Sequence, residues 1–213
     1  MAILLPTATF LHIPKCGGTW VNHAMSAAGL PLQVVPPDNQ HAVAATEGRF
    51  VFTFVRHPLT WYPSFWRFRW NAAEYLEEGP TEERLRAYAR QAAEAIDECL
   101  VDEHGRPRSF ADFVEACLSR HPGFLSHKYA LYTAPAAFVG RQESLCADLL
   151  AALRQSRADF DPQAVRRTPK INEANLKFSA DYPPGLARRL LAAEAAAVKE
   201  FYGGVQPGLA IPA

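Results

Sequence analysis

The chain has 213 residues, 49% of them hydrophobic and 21% charged, which suits a single domain able to bury a real core. Its 22 Lys and Arg balance 22 Asp and Glu, which argues against a protein held on nucleic acid by bulk charge. No apolar run approaches the roughly 20 residues of a membrane span. Four cysteines (Cys16, Cys99, Cys117, Cys146) stand singly without C-x-x-C pairs, which argues against a disulfide framework or a zinc ribbon.

Residues 1–5 are apolar but too short, and lack the basic flank, for a signal peptide, so a cytoplasmic protein is expected. Residues 7–13 (TATFLHI) are β-branched and apolar and end at Pro14, which predicts a buried first strand. A glycine-bearing loop leads to a helix over 18–28, with Trp20, Val21, Ala24, Met25 and Ala28 on one face and Gly29 as its C-terminal cap. Residues 32–35 form a short second strand. Residues 50–55 (FVFTFV) form the clearest one, apolar on both faces as in a parallel sheet.

Helix resumes at Pro58 and runs to about Trp70, with Pro63 as a possible kink. Residues 74–103 carry three basic and ten acidic side chains, against five basic and two acidic over 1–73. Pro80-Thr81-Glu82-Glu83 is a helix start, and Leu85, Tyr88, Ala92, Ile96 and Cys99 or Leu100 recur at helical spacing. An amphipathic surface helix is the favoured reading of this segment; a lid over an active site is the alternative. Ser109 is a candidate N-cap for a helix with Phe110, Phe113, Val114 and Cys117 inward. Residues 137–140 make a fourth strand, 143–155 a helix, and a last helix runs from after Pro184 to Phe201. Alternating strands and helices predict an α/β fold, a three-layer sandwich around a central, mostly parallel sheet.

The chemistry concentrates after the first strand. In Pro14-Lys15-Cys16-Gly17-Gly18-Thr19-Trp20 a glycine turn opens a helix, so backbone N–H groups and the helix N-terminus can cradle an anion. Lys15 adds a full charge and Thr19 a hydroxyl. A Walker A loop places its lysine after the second glycine; here Lys15 precedes Gly17 and Gly18. The segment resembles the 5′-phosphosulfate loop of sulfotransferases that use 3′-phosphoadenosine 5′-phosphosulfate (PAPS). His12-Ile13-Pro14-Lys15 is similar to carbohydrate-type members and the terminal Trp20 to cytosolic ones. The resemblance implies a P-loop-like fold in which Lys15 meets the leaving phosphate. It also implies that residues 16–19 hold the 5′-phosphate. Trp20 either stacks on adenine or fills the core.

A second block is similar to the family's 3′-phosphate site, where a strand-end arginine is followed eight residues later by a serine. Arg56 and Ser64 fit that spacing, and a guanidinium and a hydroxyl can converge on one phosphate. His57 stands where Asp or Asn is common, and Trp61 replaces a second arginine of many members. Gly140-Arg141-Gln142-Glu143-Ser144-Leu145 resembles a later G-R-x-E-x-L segment, in which Arg141 and Glu143 are read as bracing the turn. Phe201-Tyr202-Gly203 is similar to the family's terminal helix.

Transfer to an alcohol needs a base, and a histidine neutral near pH 7 suits it. The resemblance points to His41 in Asn39-Gln40-His41-Ala42, with His57 the leading competitor; His12 reads as a core residue and His23 as surface. Arg166, Arg167 and Lys170 form either a solvated basic loop or a flap over the 3′-phosphate. The expected function is sulfuryl transfer from PAPS to a hydroxyl, or an amine, of a small-molecule, lipid or short glycan acceptor. It leaves 3′,5′-adenosine bisphosphate (PAP) as product and uses no metal. A kinase on a related fold and a non-catalytic PAPS-binding module are the competing classes. The aromatics Trp61, Phe65, Trp66, Phe68 and Trp70 read as core or as an acceptor cleft.

Overall fold

The computed structural model describes residues 1–35, 46, 48–77, 95–104, 108–171 and 180–204. It is α/β, with a five-stranded mixed sheet. The chain divides into two compact units. The first comprises Met1–His57 with Lys128–Glu173, and the second comprises Pro58–His127 with Ala174–Ala213.

The first unit holds the sheet. Its strands are β1 (Ala2–Leu4), β2 (Ala8–Leu11), β3 (Gln33–Val35), β4 (Phe50–Val55) and β5 (Phe138–Arg141), in the order β3-β1-β2-β4-β5. Strands β2, β4 and β5 pair in parallel, with Leu11 opposite Thr53 and Val55 opposite Arg141, so they end at one edge. β1 is antiparallel to both β2 and β3, so the sheet is mixed, with four of its five strands running the same way. Residues 1–5 are too few to display an alternation, yet their apolar run fills the gap between β3 and β2, with Ala2 and Ile3 fully buried. The β4 prediction holds to the residue, and five of its six residues are buried.

One sheet face is aromatic: Phe10 stacks on Phe52 at 5.3 Å, and Phe54 meets both rings edge-on. On the other, Ala2, Leu11 and Val51 pack with Val35, Tyr132 and Ala136. The Thr53 hydroxyl, fully buried, donates to the Leu11 carbonyl at 2.7 Å and ties β4 to the tip of β2. Helix α1 (Gly18–Ala27) follows β2. Its neighbour is a short helix over Pro162–Arg167 that also packs on the helix over Leu145–Gln155. Arg166 and Arg167, expected in a basic loop or flap, are helical because Asp161 caps Gln163 N–H at 2.7 Å and Pro162 starts the first turn.

The second unit is helical. α2 (Pro58–Glu77) is longer than expected and keeps Pro63 inside it. Trp61 stacks on Phe65 at 5.0 Å and Phe65 on Phe113 at 6.2 Å, so the aromatics at helical spacing form core. Trp61, Phe65 and Trp66 are buried, whereas Phe68 is on the surface. α3 (Phe110–Arg120) begins as predicted, with the Ser109 hydroxyl accepting from Asp112 N–H at 3.2 Å. α4 (Phe124–Thr133) carried no sequence expectation; its apolar and polar residues show no sided pattern. Of the predicted acidic helix, residues 78–94 lie outside the described residues, and Ala95–Leu100 forms a 3-10 helix.

The predicted last helix is two: Leu186–Ala193 and Ala195–Tyr202, the latter ended by Gly203 at φ 74°. Glu194 breaks it (φ −97°, ψ 23°). Its fully buried carboxylate turns inward to accept from Leu125 N–H (3.0 Å), Ser126 N–H (2.7 Å), the Ser126 hydroxyl (2.7 Å) and the Tyr62 hydroxyl (2.7 Å). These contacts cap the first turn of α4 with a negative group, where a helix favours one. Among the described residues no helix is long and apolar enough to cross a membrane.

Candidate anion-binding loop

Three connections converge at the edge where β2, β4 and β5 end: residues 12–17, Arg56 with His57, and the 3-10 turn Gln142–Ser144. Ligands of such sheets gather at the carboxyl ends of the strands. Lys15 takes φ 67° and Gly17 φ 88°, and the turn closes with Cys16 N–H on Ile13 O at 3.3 Å. α1 then opens at Gly18, with no acidic residue in its first turn. No acidic side chain of that turn answers its positive end.

Both glycines are dictated by packing. A Cβ on Gly17 would lie 2.6 Å from Leu145 Cδ2, and one on Gly18 would lie 2.1 Å from the His12 ring. Leu145 closes the G-R-x-E-x-L block, so that block presses on the first loop. Glu143 in the same block accepts from His57 N–H at 2.8 Å. Bracing therefore runs from Glu143 to the end of β4 rather than only to its own turn.

Tyr129, fully buried, joins the first two blocks. Its hydroxyl donates to Arg56 O at 2.6 Å, accepts from Arg56 N–H at 3.0 Å and lies 3.6 Å from Cys16 Sγ. Arg56 Nη1 donates to Lys15 O at 3.3 Å. No signal near residue 129 marks this role; a lone tyrosine in an unpatterned helix carries none.

Burial pushes the Cys16 thiol up to about 12, so it is a packed neutral residue and not a nucleophile. His12 sits just beyond β2 rather than within it. Burial, the Met1 amino group and Lys15 hold it down to about 4. It is neutral at pH 7. Burial also lowers His57, opposed by Glu143, so its imidazole is likewise uncharged there.

The structure thus brings Lys15, Cys16, Gly17, Gly18, Thr19, Trp20 and Arg56 to one edge of the first unit, with Thr19 exposed and Trp20 half-buried. Arg166 and Arg167 belong to the same unit and are exposed in the last turn of their helix, Arg167 lying 3.6 Å from Asp161. Ser64 belongs to the second unit, half-buried on α2. His41 lies outside the described residues. Comparison with family models, curated proteins and solved structures finds no match to this chain.

Proposed function

We propose that this chain is a sulfotransferase carrying the sulfuryl group of PAPS to a hydroxyl, or an amine, of a small-molecule, lipid or short glycan acceptor. The observation that supports this most is the loop from Lys15 to Thr19. It stands at the carboxyl edge of three parallel strands, opens α1 and is fastened to Arg56 through the Lys15 carbonyl. A glycine cap without side chain and a first turn without acid suit a 5′-phosphate better than a purely structural turn requires.

In this reading the backbone of residues 16–19 holds the 5′-phosphate and Trp20 flanks the adenine. Arg56 takes the 3′-phosphate, and Arg166 and Arg167 supply basic charge to the same nucleotide. The acceptor oxygen attacks sulfur in line. A new S–O bond forms as the bond from sulfur to the bridging oxygen breaks, and that electron pair leaves on PAP. Lys15 stabilises the charge developing on the departing oxygen. His41 takes the acceptor's proton; His57, uncharged at pH 7, is the alternative base.

Calorimetric titration with PAP, and with ATP plus magnesium, tests the reading. Tight PAP binding without metal, weakened in Arg56→Ala, is expected. Preference for magnesium ATP would point to a kinase, and equal weak binding of both nucleotides would remove the proposal.

A further inference from the structure

Local spacing along the chain gives no metal motif, but the fold of the second unit assembles one from distant residues. Glu98 and Cys99 lie in the 3-10 helix Ala95–Leu100, and His121 ends α3. A carboxylate oxygen of Glu98, the Cys99 sulfur and a ring nitrogen of His121 all lie within 4.8 Å of one another. Three donors of three chemical types therefore meet: a sulfur, an imidazole nitrogen and a carboxylate oxygen.

We propose that Cys99, His121 and Glu98 form a zinc-binding site, its fourth position open to water, that clasps the 3-10 helix to the end of α3. This is independent of the sulfotransferase reading.

Donor chemistry selects the metal. Sulfur and imidazole suit zinc, whereas magnesium and calcium require oxygen ligands. A tetrahedral zinc would draw its ligand atoms to roughly 3.3–3.8 Å apart, so the group needs to contract by about an ångström. One pair is already close: His121 Nε2 lies 2.9 Å from Glu98 Oε1. Cys99 is buried, giving the metal a dry inner side, while Glu98 is exposed and His121 partly so, giving the ion a way in. Arg120, 3.8 Å from Glu98, opposes a cation, and the thiolate must outweigh it.

The test uses the full chain under reductant. Zinc is titrated in competition with a chromophoric chelator, and cobalt is added in parallel as a spectroscopic substitute. One equivalent of zinc and a thiolate-to-cobalt charge-transfer band are expected. Cys99→Ser should abolish the band. His121→Ala and Glu98→Gln alter partly exposed groups and should keep their far-UV circular dichroism; each should weaken zinc at least about tenfold. Zinc binding that is absent, or equal in the wild type and both partly exposed variants, would overturn the site. So would cobalt binding without the band.

Discussion

The Tyr129 hydroxyl grips both backbone polar groups of Arg56, donating to the carbonyl at 2.6 Å and accepting from the N–H at 3.0 Å. Replacing it by phenylalanine would leave both groups without that partner beside a buried ring. Tyr129→Phe should cost about 1–3 kcal/mol in urea unfolding, because stranded buried polar groups carry a desolvation penalty. It should also weaken PAP, since Arg56 would lose its anchor while its own side chain is unchanged.

Gly18 and His12 should be energetically coupled. A Cβ at position 18 would stand 2.1 Å from the imidazole, and a ring in a packed strand tip has little room to yield. Gly18→Ala should destabilise by roughly 1–3 kcal/mol as an overpacked site. In a His12→Ala background the same substitution should cost much less. A double-mutant cycle measures the difference, and additive effects would mean the two side chains do not contend for space.

His12 should make stability fall with acid. Its folded value is held to about 4, below the 6.5 of an unfolded imidazole, so the unfolded chain binds the proton first. The contribution is complete above pH 6.5 and is lost as pH falls through 4, amounting to about 3 kcal/mol. Carboxylates titrate in the same range, so the useful quantity is the difference between wild type and His12→Gln across this window. Titration of the His12 ring by NMR checks the value directly.

Glu194→Gln should be among the most damaging changes to the second unit. The side chain accepts four hydrogen bonds, and each of its oxygens faces one backbone N–H that cannot reverse, so an amide would turn its NH2 group toward one of them. About 2–4 kcal/mol should be lost in urea unfolding. Tyr62→Phe removes only one of the four bonds and should cost less.

For the proposed reaction, Lys15→Ala should lower kcat by roughly 10²–10³ through lost stabilisation of the leaving oxygen. His41→Ala should lower it by about 10²–10⁴ with PAP affinity retained. If His41→Ala stays active while His57→Ala does not, the base is His57.

Sequence pattern carried the fold well where residues act through their neighbours. The strand Phe50–Val55, the start of α1 at Gly18 and the Ser109 cap are set by local apolar runs, glycine and a hydroxyl. What stayed hidden depends on partners far along the chain. β1 is too short to display a period and exists because two strands flank it. Glu194 looks like a polar residue in an alanine helix until Leu125 and Ser126 arrive beneath it. The loop from Lys15 to Thr19 was legible as a motif, but its fastening by Tyr129 and Leu145 was not. Both lie more than a hundred positions away, and neither residue type signals such a contact.

The antiparallel course of β1 has a practical outcome. Met1 O accepts from His12 N–H at 3.0 Å, so the amino end of this strand sits beside the glycine loop rather than at the far side of the sheet. A purification handle fused ahead of Met1 would emerge beside His12 and, in the proposed reading, would crowd the nucleotide. A handle at this end should be cleaved before ligand is added.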